Sequence, residues 1–457
     1  MQKWQGRLRH LVVFLGVVLL VVAVWPPVLS LYELTGEETV AGQVRGVVHW
    51  LNTAVRPQPY LAPNVPVSIP VEYPFGMNTF LQQEVEPEKR ARSLQLLQQS
   101  GFRFIRQEFT WEDIEIHAKG DFVDRRNDPN GIDAWAKYDN IVSLAEQYEI
   151  EIIARLSNPP SWSRALPDEE IGSHGPPDNF DDYGDFVATV AERYRGRIRY
   201  YQLWNEPNIY PEWGEQNVDP EAYTDLLCTG YRRIKAVDPD AVVIAGALSP
   251  TVAVDGRNLN DLIFLERMYA AGAGECFDIL SAQGYGLWSG ALDRRLRPTV
   301  INYPHHLLLR DVMVRHGDAS KPLWISEMGW NSVPESLPAN YGRVNEEQKA
   351  RYAVEAFDRA RREWPWVGVV NYWFFKRPAD WEKDQSWYYF RAMEPDFTPL
   401  PVFTAMAAYA SNPPDVSLRP NWLYVWDTLR PFFFLVGSAI TLLALLNILT
   451  KPSDLET

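Results

Sequence analysis

The sequence predicts an α/β chain folded as a (β/α)8 barrel. Strand-like and helix-like segments alternate from residue 71 to about residue 410 and make eight β-then-α units. Parallel strands joined by helices, buried on both faces, suggest this fold. The 457 residues allow one large barrel or two ordinary domains, and nothing between the last strand and the C-terminus has room for a second one.

In order, strand one is expected over Phe75–Phe80 and its helix over Glu86–Gln99, with Leu94, Leu96 and Leu97 as apolar positions. Strand two runs over Phe102–Phe109, followed by a long loop and a helix over Asp133–Tyr148. Strands three and four are Glu151–Leu156 and Ile198–Trp204, with helices over Asp181–Tyr194 and Pro220–Val237. Strands five and six are Ala241–Ala247 and Phe277–Ala282, with helices over Leu259–Ala271 and Tyr303–His316. Strands seven and eight are Leu323–Ser326 and Val367–Phe375, with helices over Asn345–Glu363 and Pro401–Tyr409. The catalytic domain is expected to span residues 71–412. No sequence repeat beyond the βα alternation is visible.

Both ends are hydrophobic, so the barrel is expected to be flanked by N-terminal and C-terminal transmembrane segments. Leu11 to Trp25 is apolar behind Lys3, Arg7, Arg9 and His10, and Pro26-Pro27 closes the run. Residues 1–30 therefore read as a signal peptide or an uncleaved signal anchor, with Val28-Leu29-Ser30 a weak cleavage site. Residues 31–70 are a membrane-proximal region. Leu31–Leu51 suits an amphipathic helix, and the five prolines of Arg56–Pro70 suit an extended linker. Residues 413–430 read as a second linker. The uncharged run within residues 431–449, Phe432 to Leu449, is long enough to span a bilayer, and residues 450–457 follow as a cytoplasmic tail. The basic N-terminus puts both ends inside and the barrel outside, at the cell membrane.

Composition narrows the function classes. A net charge of −15 argues against nucleic acid as a partner. Cys228 and Cys276 are the only cysteines, which excludes a disulfide framework and a CxxC metal site and leaves open whether the two pair. The seven histidines are scattered and carry no HExxH spacing, so no metal and no cofactor are expected. The 18 tryptophans fit either a ring-rich core or a sugar-binding cleft, where flat rings stack on pyranose faces.

Two segments carry the chemistry. Tyr200-Tyr201-Gln202-Leu203-Trp204-Asn205-Glu206-Pro207-Asn208 is a strand ending in Asn-Glu-Pro, and about 120 residues later comes Leu323-Trp324-Ile325-Ser326-Glu327-Met328-Gly329-Trp330. Two glutamates at the ends of buried strands suit a reaction needing a proton donor and a nucleophile at one bond, and glycosidic cleavage is such a reaction.

These motifs resemble the fourth-strand and seventh-strand motifs of the clan A glycoside hydrolases, most like the family 39-like and family 5-like bacterial members. The resemblance implies that Glu206 is the general acid/base and Glu327 the nucleophile of a retaining mechanism, with carboxyls about 5–5.5 Å apart. It implies that Asn205 bonds the sugar 2-hydroxyl and that Arg106, ending strand two, keeps the nucleophile ionised. It implies that Tyr285 donates to the nucleophile and that Trp373 floors the subsite of the cleaved sugar. Relatives often have histidine where this chain has Gln283, which cannot titrate but can orient a hydroxyl. Trp111, with Ile114-Glu115, resembles the family 39-like pattern, and the resemblance implies that Trp111 binds substrate. Asn158 and Trp162, after strand three, read as a cleft residue and a stacking platform. Lys376, Arg377 and Trp381, after strand eight, read first as solvated surface and second as outer-subsite residues.

The function expected is a membrane-anchored retaining glycosidase acting on a cell-surface or extracellular polysaccharide. The alternatives are a transglycosidase, or a non-catalytic glycan-binding scaffold of a polysaccharide export system.

Overall fold

The computed structural model describes residues 2–23, 31–53 and 56–449. The expected cleavage site at Val28-Leu29-Ser30, the closing Pro26-Pro27 and the tail at 450–457 lie outside the described residues. The chain divides into two compact units, one of residues 60–291 and 297–418, the other of residues 1–59, 292–296 and 419–457.

The larger unit holds eight parallel strands. They are β1 (Phe75–Thr79), β2 (Phe104–Thr110), β3 (Glu151–Ser157), β4 (Tyr200–Leu203), β5 (Val242–Ala245), β6 (Leu280–Tyr285), β7 (Leu323–Gly329) and β8 (Val367–Tyr372). Each strand pairs with the next, and β8 pairs with β1. The remaining seam, between β5 and β6, is joined by parallel bridges at Ile244–Ile279 and Leu248–Ala282. The sheet thus closes on itself as a barrel. The helices are α1 (Pro87–Gln99), α2 (Ala136–Gln147), α3 (Phe180–Arg193), α4 (Pro220–Val237), α5 (Asp261–Ala270), α6 (His306–Arg315), α7 (Glu346–Glu363) and α8 (Pro401–Ser411). Caps set several of their starts. Asp219 accepts from Ala222 N ahead of Pro220, and Asn345 and Gln348 form a reciprocal capping box.

The floor of the barrel is a layer of inward apolar side chains: Phe104, Ile153, Tyr200, Ile244, Ile279 and Trp324 among them. Two residues further along the strands the inward positions turn polar, at Arg106, Arg155, Gln202 and Ser281. That switch marks where the packed core ends and the site begins.

Two strands differ from expectation in a way that matters. β6 starts three residues later and runs through Gln283 and Tyr285, and β7 runs on through Glu327. The polar inward residues look like loop, yet they continue the ladder, with Gln283 opposite Glu327 and Tyr285 opposite Gly329. A register shift between Ala282 and Gln283 marks a bulge on β7. It lets the consecutive residues Ser326 and Glu327 both bond groups inside the barrel. The long loop after β2 contains a short antiparallel hairpin, Val123–Asp124 with Ile132–Asp133.

Cys228 on α4 is disulfide-bonded to Cys276, with Cα atoms 4.8 Å apart. The sequence left this pairing open.

The smaller unit contains helices over Gln2–Ala23, Leu31–Thr35, Val40–Thr53 and Asn421–Leu449. The single helix expected over Leu31–Leu51 is two. Gly36 at φ +67° ends the first, and Thr39 Oγ1 accepts from Gly42 N at the start of the second. The linker expected at 413–430 is helical from Asn421, because Trp422, Val425 and Leu429 already follow helical spacing. Among the described residues, one helix is long and apolar enough to cross a membrane, Asn421–Asn447; the N-terminal apolar stretch, His10–Ala23, is shorter.

The disulfide closes a 48-residue separation. Cys228→Ser is expected to lower unfolding stability by about 3–4 kcal/mol, from the loop-closure entropy returned to the unfolded chain. Chemical denaturation under oxidising conditions checks this, and an unchanged midpoint would contradict it.

Candidate active site

Arg106 sits in β2, inside the barrel, with almost no exposed surface. Its Nε donates to Gln202 Oε1 at 2.6 Å, and its Nη2 to Asn205 Oδ1 at 2.7 Å. Its Nη1 donates to Asn78 Oδ1 at 2.9 Å and to Glu327 Oε1 at 2.8 Å. The acceptors come from β1, β4, the turn after β4, and β7. They are locked in turn. Gln202 Nε2 donates to Ser281 Oγ and Ser326 Oγ at 2.8 and 3.1 Å, and Asn78 Nδ2 donates to the Ser326 carbonyl at 2.9 Å. Asn78 and Gln202 escaped notice in the sequence. The signal was there, in a lone amide at an inward position of a buried strand.

Glu327 is buried and held at both oxygens. Arg106 takes Oε1, and the Tyr285 hydroxyl donates to Oε2 at 2.5 Å. A cation and a phenol suit a carboxylate, not a neutral acid. Burial, followed by the charges of Glu327 and Glu206, raises the Tyr285 phenol well above its ordinary range, so it remains a donor.

Glu206 follows β4 and is half-buried. It faces no cation. Gln283 Nε2 donates to its Oε1 at 3.0 Å. Burial, then the negative charges of Glu327 and Glu212, push the Glu206 carboxyl up to about 8, and the bonds from Gln283 and Ser249 only partly offset this. Two glutamates within electrostatic reach of each other therefore sit in opposite environments. The buried Gln283 Oε1 has no hydrogen-bond partner.

Trp373 follows β8 and is half-buried, edge to face with Phe80 at 5.4 Å, and its peptide bond to Phe374 is cis. Asn158 is half-buried at φ 59° and its Oδ1 accepts from Ser157 Oγ at 2.8 Å. Trp162 is half-buried; its Nε1 donates to the Glu115 carbonyl at 2.7 Å.

Three expectations need correction. Trp111 has 0% of its surface exposed. It stacks on Phe186 at 5.1 Å and donates to Glu115 Oε2 at 2.6 Å, so it is a core ring that cannot touch a substrate. Lys376 and Arg377 are buried, not solvated. Lys376 pairs with Glu84, and Arg377 pairs with Glu382 at 2.7 Å and lies over the Phe80 ring. Trp381 is exposed. A further buried pair, Arg155 with Glu108, lies beside this network at the tops of β3 and β2. Among the described residues no group of three or more His, Cys, Asp or Glu side chains is placed to hold a metal ion.

The sequence model of the cellulase family, glycosyl hydrolase family 5, matches residues 69–314, more than half of the chain. The match takes in β1 to β6 and Glu206 and stops short of Glu327. No curated protein matches. Among solved structures, a family 39 glycoside hydrolase from Bacteroides cellulosilyticus is similar at a TM-score of 0.53 and 22% identity, over 78% of this chain and 66% of that one. A β-xylosidase from Caulobacter crescentus is similar at 0.52 and 19%, over 75% of this chain and 69% of that one. A glucosidase from Croceicoccus marinus is similar at 0.51 and 14%, over 78% and 69%. The chain thus spans about two thirds of the length of each structure. At these identities the likeness concerns the fold alone. The chain belongs to the cellulase family, glycosyl hydrolase family 5, within the clan A barrel glycoside hydrolases.

Proposed function

We propose that the protein is a membrane-anchored, extracytoplasmic, retaining β-glycosidase acting on a cell-surface or extracellular polysaccharide. The observation that carries the reading is the unequal pair. Glu327 receives bonds from a guanidinium and a phenol, while Glu206 makes no ion pair and its carboxyl is raised to about 8 by burial and by Glu327 and Glu212. One nucleophile and one acid are what double displacement needs.

In the first step a Glu327 oxygen bonds to the anomeric carbon as the glycosidic C–O bond breaks, and Glu206 gives its proton to the departing oxygen. In the second step Glu206, now anionic, takes a proton from water. The water oxygen attacks the same carbon and releases Glu327. Asn205 turns its carbonyl to Arg106, since a guanidinium can only donate. Its NH2 is then the group that meets the sugar 2-hydroxyl, a bond that strengthens in the transition state. The unpartnered Gln283 Oε1 accepts a second hydroxyl. Trp373 is the floor of the subsite, and Asn158 and Trp162 line its rim.

The placement outside the cytoplasm is supported by the Cys228–Cys276 bond, because disulfides persist in oxidising compartments. It is supported also by the apolar helix at Asn421–Asn447 and by Lys3, Arg7 and Arg9 ahead of the N-terminal apolar run. The targets this location offers are cell-wall, capsule and exported polysaccharides.

The full chain in detergent is expected to hydrolyse at least one of a panel of aryl β-glycosides with retention of anomeric configuration. Glu327→Gln should abolish turnover, and Glu206→Gln should lower it by ~10²–10⁴ on substrates with poor leaving groups. Glycan binding without turnover, the same in both variants, would favour a scaffold. Longer glycans formed from an added acceptor would mark a transglycosidase.

The acid must be protonated in the free enzyme, so kcat/KM is expected to fall as pH rises through about 8. A dinitrophenyl glycoside needs no acid, so in Glu206→Gln acting on it that alkaline limb should vanish. A limb that persists would assign the titration to another group.

A further inference from the structure

Tryptophans on the loops after β2 and β4, Trp111 and Trp213, are enclosed by protein. Trp288 is not; 65% of its surface is exposed. It stands three residues beyond Tyr285, on the turn that follows β6.

The turn that carries it is tightly held. Trp330 Nε1 donates to the Ser289 carbonyl at 2.7 Å. Gly286 lies against the Trp330 ring, where an added Cβ would come within 2.1 Å of Nε1. Gly342, on the loop after β7, packs so closely on Leu287 that a Cβ there would meet the Leu287 carbonyl oxygen at 2.2 Å. Leu287 itself is at φ 53°, a conformation that costs any residue with a side chain. The φ of Leu287 and three close contacts thus fix the backbone of the turn from which the exposed ring projects. An exposed ring on a fixed backbone is a prepared contact surface, since only the side chain is left to order when a partner arrives.

A second exposed ring stands on the loop that packs against this turn through Gly342 and Leu287. Tyr341, beside Gly342, is 40% exposed. It meets Phe390 at 6.1 Å, and Phe390 meets Tyr285, the donor to Glu327, at 5.4 Å. The Tyr341 phenol is raised by burial and by the charge of Glu206, which puts it within electrostatic reach of the proton donor. Glu206 protonates the departing oxygen, so rings near it border the departing group. A flat ring offers its π face to the C–H face of a pyranose.

We propose that Trp288 and Tyr341 form a stacking platform for sugar residues of the leaving group, so that the bond cleaved lies inside a glycan chain. The platform rests on the glycosidase reading above and names the leaving-group side of the same site.

The test uses the full chain in detergent as wild type, Trp288→Ala, Trp288→Phe and Tyr341→Ala. Each is assayed on 4-nitrophenyl β-glycosides of glucose, xylose and mannose and on the matching β-1,4-linked hexasaccharides. The ratio of hexasaccharide to aryl-glycoside kcat/KM is expected to fall at least ten-fold in both alanine variants and to recover in Trp288→Phe. An equal loss on both substrates, or no loss on either, overturns the platform; the second result suits a tryptophan at a membrane surface. If the wild type hydrolyses nothing, the glycosidase reading fails separately. Hexasaccharide binding to Glu327→Gln protein, with and without Trp288→Ala, then decides the platform. Binding lost with the ring supports it, and binding that is absent or unchanged overturns it.

Discussion

A guanidinium withdrawn from water must have its donors met by acceptors at fixed positions. Arg106 has four such bonds, to Asn78, Gln202, Asn205 and Glu327. No two neighbouring strands could supply them. The acceptors come from opposite parts of the barrel wall, and only closure of all eight strands brings them to one side chain. The polar layer is satisfied collectively or not at all, as buried networks must be. Beneath it the apolar layer around Phe104, Tyr200 and Trp324 keeps water out and the local dielectric low. Fold and site are in this sense one object, because what satisfies Arg106 also fixes Glu327 Oε1 and Asn205 Oδ1.

The same layer creates the asymmetry between the two glutamates. Each is a carboxyl near a strand end. Arg106 and Tyr285 surround one with donors, while Glu206 receives an amide donor and the field of its negative neighbour. Identical side chains are therefore set in unlike electrostatic surroundings. The departure at Gln283 fits this picture. An amide that cannot titrate leaves burial and the charges of Glu327 and Glu212 as the main influences on the Glu206 carboxyl.

Much of this was legible in the sequence. Asn-Glu-Pro after one apolar strand and Ser-Glu-Met-Gly in another were enough to single out Glu206 and Glu327, and 3.6-residue periodicity located the barrel helices. The misses share one physical cause, which is that burial is decided by distant partners. Lys376 and Arg377 look like surface because they are charged, yet Glu84 and Glu382 neutralise them inside the protein. Trp111 looks like a substrate-binding ring because its segment resembles a family 39-like pattern, yet Phe186 and Trp162 enclose it. The ends of β6 and β7 look like loop because they are polar, yet a barrel interior with a functional layer demands polar inward residues there. Trp288 gave no signal at all, since its exposure depends on contacts with Trp330 and Gly342 made across loops.

The central claim is that Glu327 forms the covalent bond to sugar, and trapping that bond tests it most directly. The full chain would be incubated with the 2-deoxy-2-fluoro analogue of whichever aryl β-glycoside it hydrolyses, then digested and sequenced by mass spectrometry. The account predicts one fluoroglycosyl adduct, on the peptide containing Glu327 and at that residue. A label on any other side chain, or steady turnover of the analogue with inversion and no adduct, would contradict it.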